Sequence, residues 1–173
     1  KAIDETKIRD KALILVGFSG GFRRSELVNI EYDDVEFVTE GVKILIKRSK
    51  TDQSGEGSVK AIPYFDNQEF CPVIALKNYI NKKFSNISDS KVFDISDKSV
   101  ALIIKRYAEK AGLDSSKYAG HSLRSGFATT AAEFGAEERN IMAMTGHKTT
   151  QMVRRYIHEA NLFKNNALNK IKI

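Results

Sequence analysis

Apolar residues recur on a helical period near both ends of the chain and on a two-residue period in a short stretch between. Ile8, Ala12, Leu15 and Val16 share one face, which predicts a helix over 6–19, with Thr6 or Asp4 available as a cap and Gly20-Gly21 breaking the pattern. A short helix from Arg24 to Asn29 is expected next. The period then changes. Val42, Ile44 and Ile46 alternate with Lys43, Leu45 and Lys47, the pattern of a half-buried strand. Val35–Val38 precede it and Val59–Pro63 follow, so a three-stranded antiparallel meander is expected. Its second connection, Ser49–Ser58, is long and polar, contains Gly55 and Gly57, and is expected to be mobile.

From Pro72, which suits a first helical position, the helical period returns. Val73, Leu76, Ile80 and Phe84 make one face. Ser85 to Ser96 reads as a polar connection anchored by Phe93. Val100, Ile103, Ile104, Tyr107, Ala108 and Ala111 give an amphipathic helix ended by Gly112. Helices over about 122–134, 137–145 and 149–156 follow, and a last one near 159–170, with Gly135 and Gly146 as stop signals. The fold class is therefore α+β, mainly helical with a small three-stranded antiparallel sheet, and no internal domain boundary is visible.

Composition narrows the picture modestly. A chain of 173 residues suits one domain and can bury a core without metals or disulfides. The single cysteine, Cys71, allows no internal disulfide and reads as a small buried residue. No apolar run approaches the roughly 18 residues of a membrane span. The net charge of +6 and pI of about 9.3 are compatible with a polyanionic partner. The chain starts at Lys1 without a methionine or a signal-like segment, so it is expected to be cut from a longer protein.

Several residues could carry phosphate chemistry. His121 and Arg124 stand three apart where a helix begins after Gly120, on one face of a first turn whose free amides favour an anion. Arg23 lies at a helix break, and Glu26 can hold its guanidinium through a charge-assisted bond; Arg24 is out of step with that pair. Lys50, at the end of the alternating strand, could reach a leaving oxygen from the hairpin. Lys47, Arg48 and Lys60 are competitors that spacing alone does not exclude. His147 follows Gly146 at a helix boundary, and Tyr156 comes nine residues later. His158 reads as a neighbour of Tyr156. The three histidines and one cysteine form no zinc pattern, and no P-loop, nucleophile elbow or two-metal acidic cluster is present in the sequence.

Each signal is weak alone, but their order is specific. Gly21-Phe22-Arg23-Arg24-Ser25-Glu26-Leu27, Gly120-His121-Ser122-Leu123-Arg124, and Thr145-Gly146-His147 followed by Arg154-Arg155-Tyr156 resemble the arginine, histidine and tyrosine boxes of the tyrosine recombinases, or phage-type integrases. The resemblance runs from about Ile8 to Ile157. It implies that Tyr156 is a nucleophile forming a 3′-phosphotyrosyl bond, with Arg23 and Arg124 clamping the scissile phosphate. It further implies a phosphate hydrogen bond from His147, Lys50 as general acid for the leaving 5′ oxygen, His121 as general base or proton shuttle, and Glu26 as support for Arg23. No metal or other cofactor is implied. The expected partner is double-stranded DNA, held by a homotetramer on paired sites with the segment Glu159–Ile173 docking on a neighbouring subunit. The setting implied is the cytoplasm, at the nucleoid, and away from membranes. The family's N-terminal DNA-clamping domain is missing from the sequence. A type IB topoisomerase-like relaxing enzyme, a non-catalytic DNA-binding relative and a basic helical interaction module are the alternatives.

Overall fold

Two apolar clusters organise the chain, and the candidate residues fall between them. The computed structural model describes residues 2–47, 57–83 and 90–161. Lys50 and most of the Ser49–Ser58 connection lie outside those residues, as do Phe84 and the last predicted helix from residue 162 onward.

The larger cluster is built by helix α1 (Ala2–Ser19), the sheet, α3 (Pro72–Lys83) and α4 (Asp97–Lys110). α1 starts earlier than its apolar period suggests, so Asp4 and Thr6 lie inside the helix and do not cap it. Leu13 and Val16 are fully buried against Leu76, Val100 and their neighbours. Asp10 is also fully buried on α1. It is paired to Arg9 and, across the helix interface, to Arg106 of α4, the kind of partnering a buried carboxylate requires. α4 is capped at Ser96, whose hydroxyl oxygen accepts from the Ser99 amide. Phe93 anchors the preceding connection as expected, stacking on Tyr79 with ring centroids 5.5 Å apart.

Strands β1 (Val35–Val38), β2 (Gly41–Ile46) and β3 (Ser58–Pro63) form an antiparallel sheet in sequence order. Val42, Ile44 and Ile46 face the core while Lys43 and Leu45 face out, the alternation read from the sequence. On β3 the inward positions are Lys60 and Ile62, and Val59 is exposed. Among the described residues no helix is long and apolar enough to cross a membrane.

The smaller cluster joins α5 (Ser122–Glu133), α6 (Glu138–Thr145) and α7 (Thr150–Asn161) through Ala128, Ala132, Ile141 and Val153. α5 touches both clusters, packing on α1 and on α7. The helix expected over 149–156 runs on to Asn161, because nothing after Tyr156 interrupts it: Ile157 continues the apolar face and neither Gly nor Pro follows.

Candidate active site

The turn after α1 places Arg23. Gly21 has φ of +56°, a left-handed conformation that a side chain would strain, and this reverses the chain into the four-residue helix α2 (Arg24–Leu27). Arg23 is the N-cap of α2. Its amide donates to Glu26 Oε2 at 2.9 Å and its Nη1 donates to Glu26 Oε1 at 2.5 Å. Glu26 is 4% exposed, so this pair is charge-assisted and held in a protein-like dielectric. Arg24 points elsewhere. Its side chain lies across Gly120, where an added Cβ would come within 1.9 Å of its Nε.

α5 supplies the second pair. His121 is its N-cap and is exposed, and Arg124 lies in the first turn, only 5% exposed. Arg124 Nη1 donates to the Gly21 carbonyl at 3.3 Å, which ties α5 to the Arg23 turn. Burial foremost, and then the nearby Arg23, lowers the Arg124 guanidinium to about 10, so it stays charged at neutral pH.

α6 ends at Gly146, whose φ of +64° forms a left-handed cap with its amide on the Met142 carbonyl at 2.7 Å. His147 follows. Its Nδ1 lies 2.8 Å from the hydroxyl of the fully buried Thr145, and that hydroxyl donates its hydrogen to the Ile141 carbonyl at 2.6 Å. A hydroxyl has one hydrogen, so Thr145 accepts from Nδ1–H and the neutral ring keeps its Nε2 lone pair facing away from Thr145. Burial, followed by the charges of Arg124, Arg23 and Lys60, lowers His147 to about 4. Tyr156, half-buried on α7, stands beside it with ring centroids 6.1 Å apart.

These elements close around one groove of about 490 Å³, lined by Arg23, His121, Arg124, His147 and Tyr156 together with Ser125 and Met152. Five of the six residues singled out for chemistry in the sequence therefore meet in one concavity, and Glu26 lies behind Arg23. Lys50 lies outside the described residues. Among its competitors, Lys47 is committed to Glu31 and Asp34 at 2.5 and 2.9 Å, and those bonds hold its ammonium pKa above the ordinary lysine value. Lys60 points inward. Its ammonium makes hydrogen bonds to backbone carbonyls and stands near Glu26, next to the arginine pair. Two residues take supporting places that differ from those expected: Thr145, which enters the sequence only as the start of the last box, and Lys60, which enters as a competitor of Lys50. For Lys60 the signal was present, because its position on β3 shares a face with Ile62 and that face is otherwise apolar.

Chemically the groove offers fixed N–H donors and positive charge around a phenol, which suits an anionic phosphoryl group. The His147 assignment has a direct check. In the protein alone its imidazole should titrate near pH 4 by NMR, with the proton on Nδ1 above that pH. A folded value below the reference value of 6.5 means that the unfolded chain binds the extra proton first. This contribution to stability is therefore fully present above about pH 6.5 and is lost as pH falls toward 4. Thr145→Val should shift the Nδ1 resonance, and a midpoint of 6 or above in the wild type would contradict the burial seen here.

An integrase/recombinase described as a xerD homolog, from Selenomonas ruminantium, is 47% identical over 181 residues, covering 97% of this chain and 53% of the relative. Tyrosine recombinase XerA of Pyrococcus furiosus is 30% identical over 185 residues, covering 95% of this chain and 59% of its own length. The chain thus spans about half the length of the curated relatives it matches. The fold also matches the crystal structure of the XerH site-specific recombinase bound to a palindromic difH substrate in a post-cleavage complex. That match has a TM-score of 0.77 at 20% identity, over 96% of this chain and 46% of that one. The family model for the phage integrase family matches residues 1–162, and the chain belongs to that family.

Proposed function

We propose that this chain is the catalytic domain of a tyrosine site-specific recombinase that cuts and rejoins double-stranded DNA through a 3′-phosphotyrosyl intermediate. The observation that carries the reading is the convergence of Arg23, Arg124, His121, His147 and Tyr156 on one groove from four separate segments of the chain.

The Tyr156 oxygen attacks the scissile phosphorus while its proton passes to His121, at the exposed start of α5. A new O–P bond forms and the bond to the 5′ oxygen breaks. Arg23 and Arg124 bind the non-bridging oxygens, where negative charge grows as phosphorus becomes pentavalent. His147 contributes a further hydrogen bond through Nε2, which requires a proton there. Because its Nδ1–H is already given to Thr145, an anionic phosphate in the groove would raise the pKa of this ring and draw that proton in. Lys50 protonates the departing 5′ oxygen. Its assignment is supported by the engagement of Lys47 and Lys60 elsewhere. Reversal of these steps by a 5′-hydroxyl from another strand rejoins DNA without an external energy source, because the phosphodiester energy is kept in the covalent intermediate. In the whole protein, four copies would act on paired sites, with the segment after α7 docking on a neighbour.

A nicked suicide substrate built from the native attachment site tests this. The protein should accumulate a covalent protein–DNA complex, joined through a 3′-phosphotyrosine, at the same yield with EDTA present. Absence of any covalent species, or strand cleavage that leaves no protein attached, would overturn it.

A further inference from the structure

Lys60 lies on the inner face of β3, opposite Ile44 of β2, and is 5% exposed. A buried lysine must satisfy three N–H donors and one charge. Its ammonium donates to the Gly20 carbonyl at 2.7 Å and to the Met144 carbonyl at 2.6 Å. The remaining N–H faces the Gly21 carbonyl at 3.4 Å and the Glu26 carboxylate, whose Oε2 is 3.8 Å away. The Phe22 ring covers the ammonium at 4.5 Å.

The acceptors are informative because of where they sit. Gly20 and Gly21 immediately follow α1, and Met144 is in the last turn of α6. Carbonyls at helix C-termini lack intrahelical partners and carry the negative end of the dipole, so two such ends converge on one cation. The Gly20–Gly21 turn leads directly to Arg23, and the end of α6 leads through Gly146 to His147. The Gly21 carbonyl also accepts from Arg124. One ammonium thus joins the supports of Arg23, Arg124 and His147, and has no donor left for a leaving oxygen.

We propose that Lys60 is a positioning residue that clamps the Arg23 turn to the His147 turn and so sets the spacing of the phosphate-binding groups, with no part in proton transfer. This inference rests on the strand-transfer reading above. Burial foremost, with Arg124 and Arg23 nearby and Glu26 opposing them, lowers the Lys60 ammonium to about 8, so it remains largely protonated at neutral pH.

The experiment compares Lys60→Met and Lys60→Arg with the wild type on two suicide substrates, one with the natural 5′ oxygen and one with sulfur in its place. A thiolate leaves without needing a proton, so sulfur removes the requirement for a general acid. Lys60→Met should bind DNA nearly as the wild type does but form covalent complex on the order of 100-fold more slowly, and equally so on both substrates. Lys60→Arg keeps the cation and several donors, and should recover most of the rate on both. If Lys60→Met does not fold, the arginine variant decides alone. A guanidinium is a poor proton donor, so slow cleavage of the oxygen substrate with normal cleavage of the sulfur one would make Lys60 the acid and overturn the proposal. Wild-type rates for a folded Lys60→Met would overturn it equally. A wild type that traps no complex on either substrate would instead overturn the strand-transfer reading and this inference with it.

Discussion

Tyr156→Phe is expected to abolish covalent complex formation on a suicide substrate while leaving DNA affinity within about twofold. The substitution removes one oxygen. The ring keeps its packing against the small cluster of Ala128, Ala132, Ile141 and Val153 and its place beside His147. Stability should therefore change by no more than about 0.5 kcal/mol, the usual range for a change that creates neither a cavity nor an unpaired group. Binding draws on phosphate contacts along the duplex, which the phenol oxygen does not supply. Among the described residues no other tyrosine lines the groove, so no second phenol is in place to attack. Gel-resolved covalent adduct and a thermal melt on the same preparation check both halves. Adduct at the wild-type yield from the phenylalanine variant would show that another residue attacks phosphorus.

The sequence was most legible where local rules act alone. The alternation of Val42, Ile44 and Ile46 gave the strand and its inward face, and Gly146 marked the end of α6 because a left-handed cap favours glycine. The pairing of Arg23 with Glu26 was readable from a spacing of three at a helix start. The site as a whole was legible mainly through the resemblance, since His-x-x-Arg or a lone tyrosine carries little information. What was not legible depends on tertiary contact. The Lys60 ammonium finds its partners 40 and 84 residues away, at Gly20 and Met144, and no local pattern announces that. The orientation that Thr145 gives His147 is local by contrast, resting on bonds to the Ile141 carbonyl four residues back and to His147 two residues on, but residue types alone do not announce it. α7 extends past the boundary expected at residue 156, because the apolar period continues through Ile157.

Arg23→Ala and Arg124→Ala should each reduce cleavage by on the order of 100- to 1000-fold, the usual cost of removing one preorganised donor to a developing oxyanion. Their effects on stability should diverge, and the divergence tests the geometry. Arg23 neutralises Glu26, whose side chain is 3% exposed, so Arg23→Ala leaves a buried carboxylate that keeps the residue-23 amide on Oε2 but, among the described residues, has only the Lys60 ammonium as a charge partner, at 3.8 Å. Breaking a buried pair from one side costs ~3 kcal/mol, and Arg23→Ala should melt at clearly lower temperature. Arg124 is itself a buried cation near Arg23, with its Nη1 on the Gly21 carbonyl. Its removal relieves repulsion as well as losing that bond, so Arg124→Ala should melt close to the wild type. Adding Glu26→Gln to Arg23→Ala should restore much of the lost stability and none of the lost cleavage, because the guanidinium that binds phosphate is still missing. Arg24→Ala should be milder in rate than either, since its side chain lies across Gly120 and is not among the residues lining the groove. Equal rate losses for Arg23→Ala and Arg24→Ala would mean that the clamp on the phosphate has been assigned to the wrong arginine.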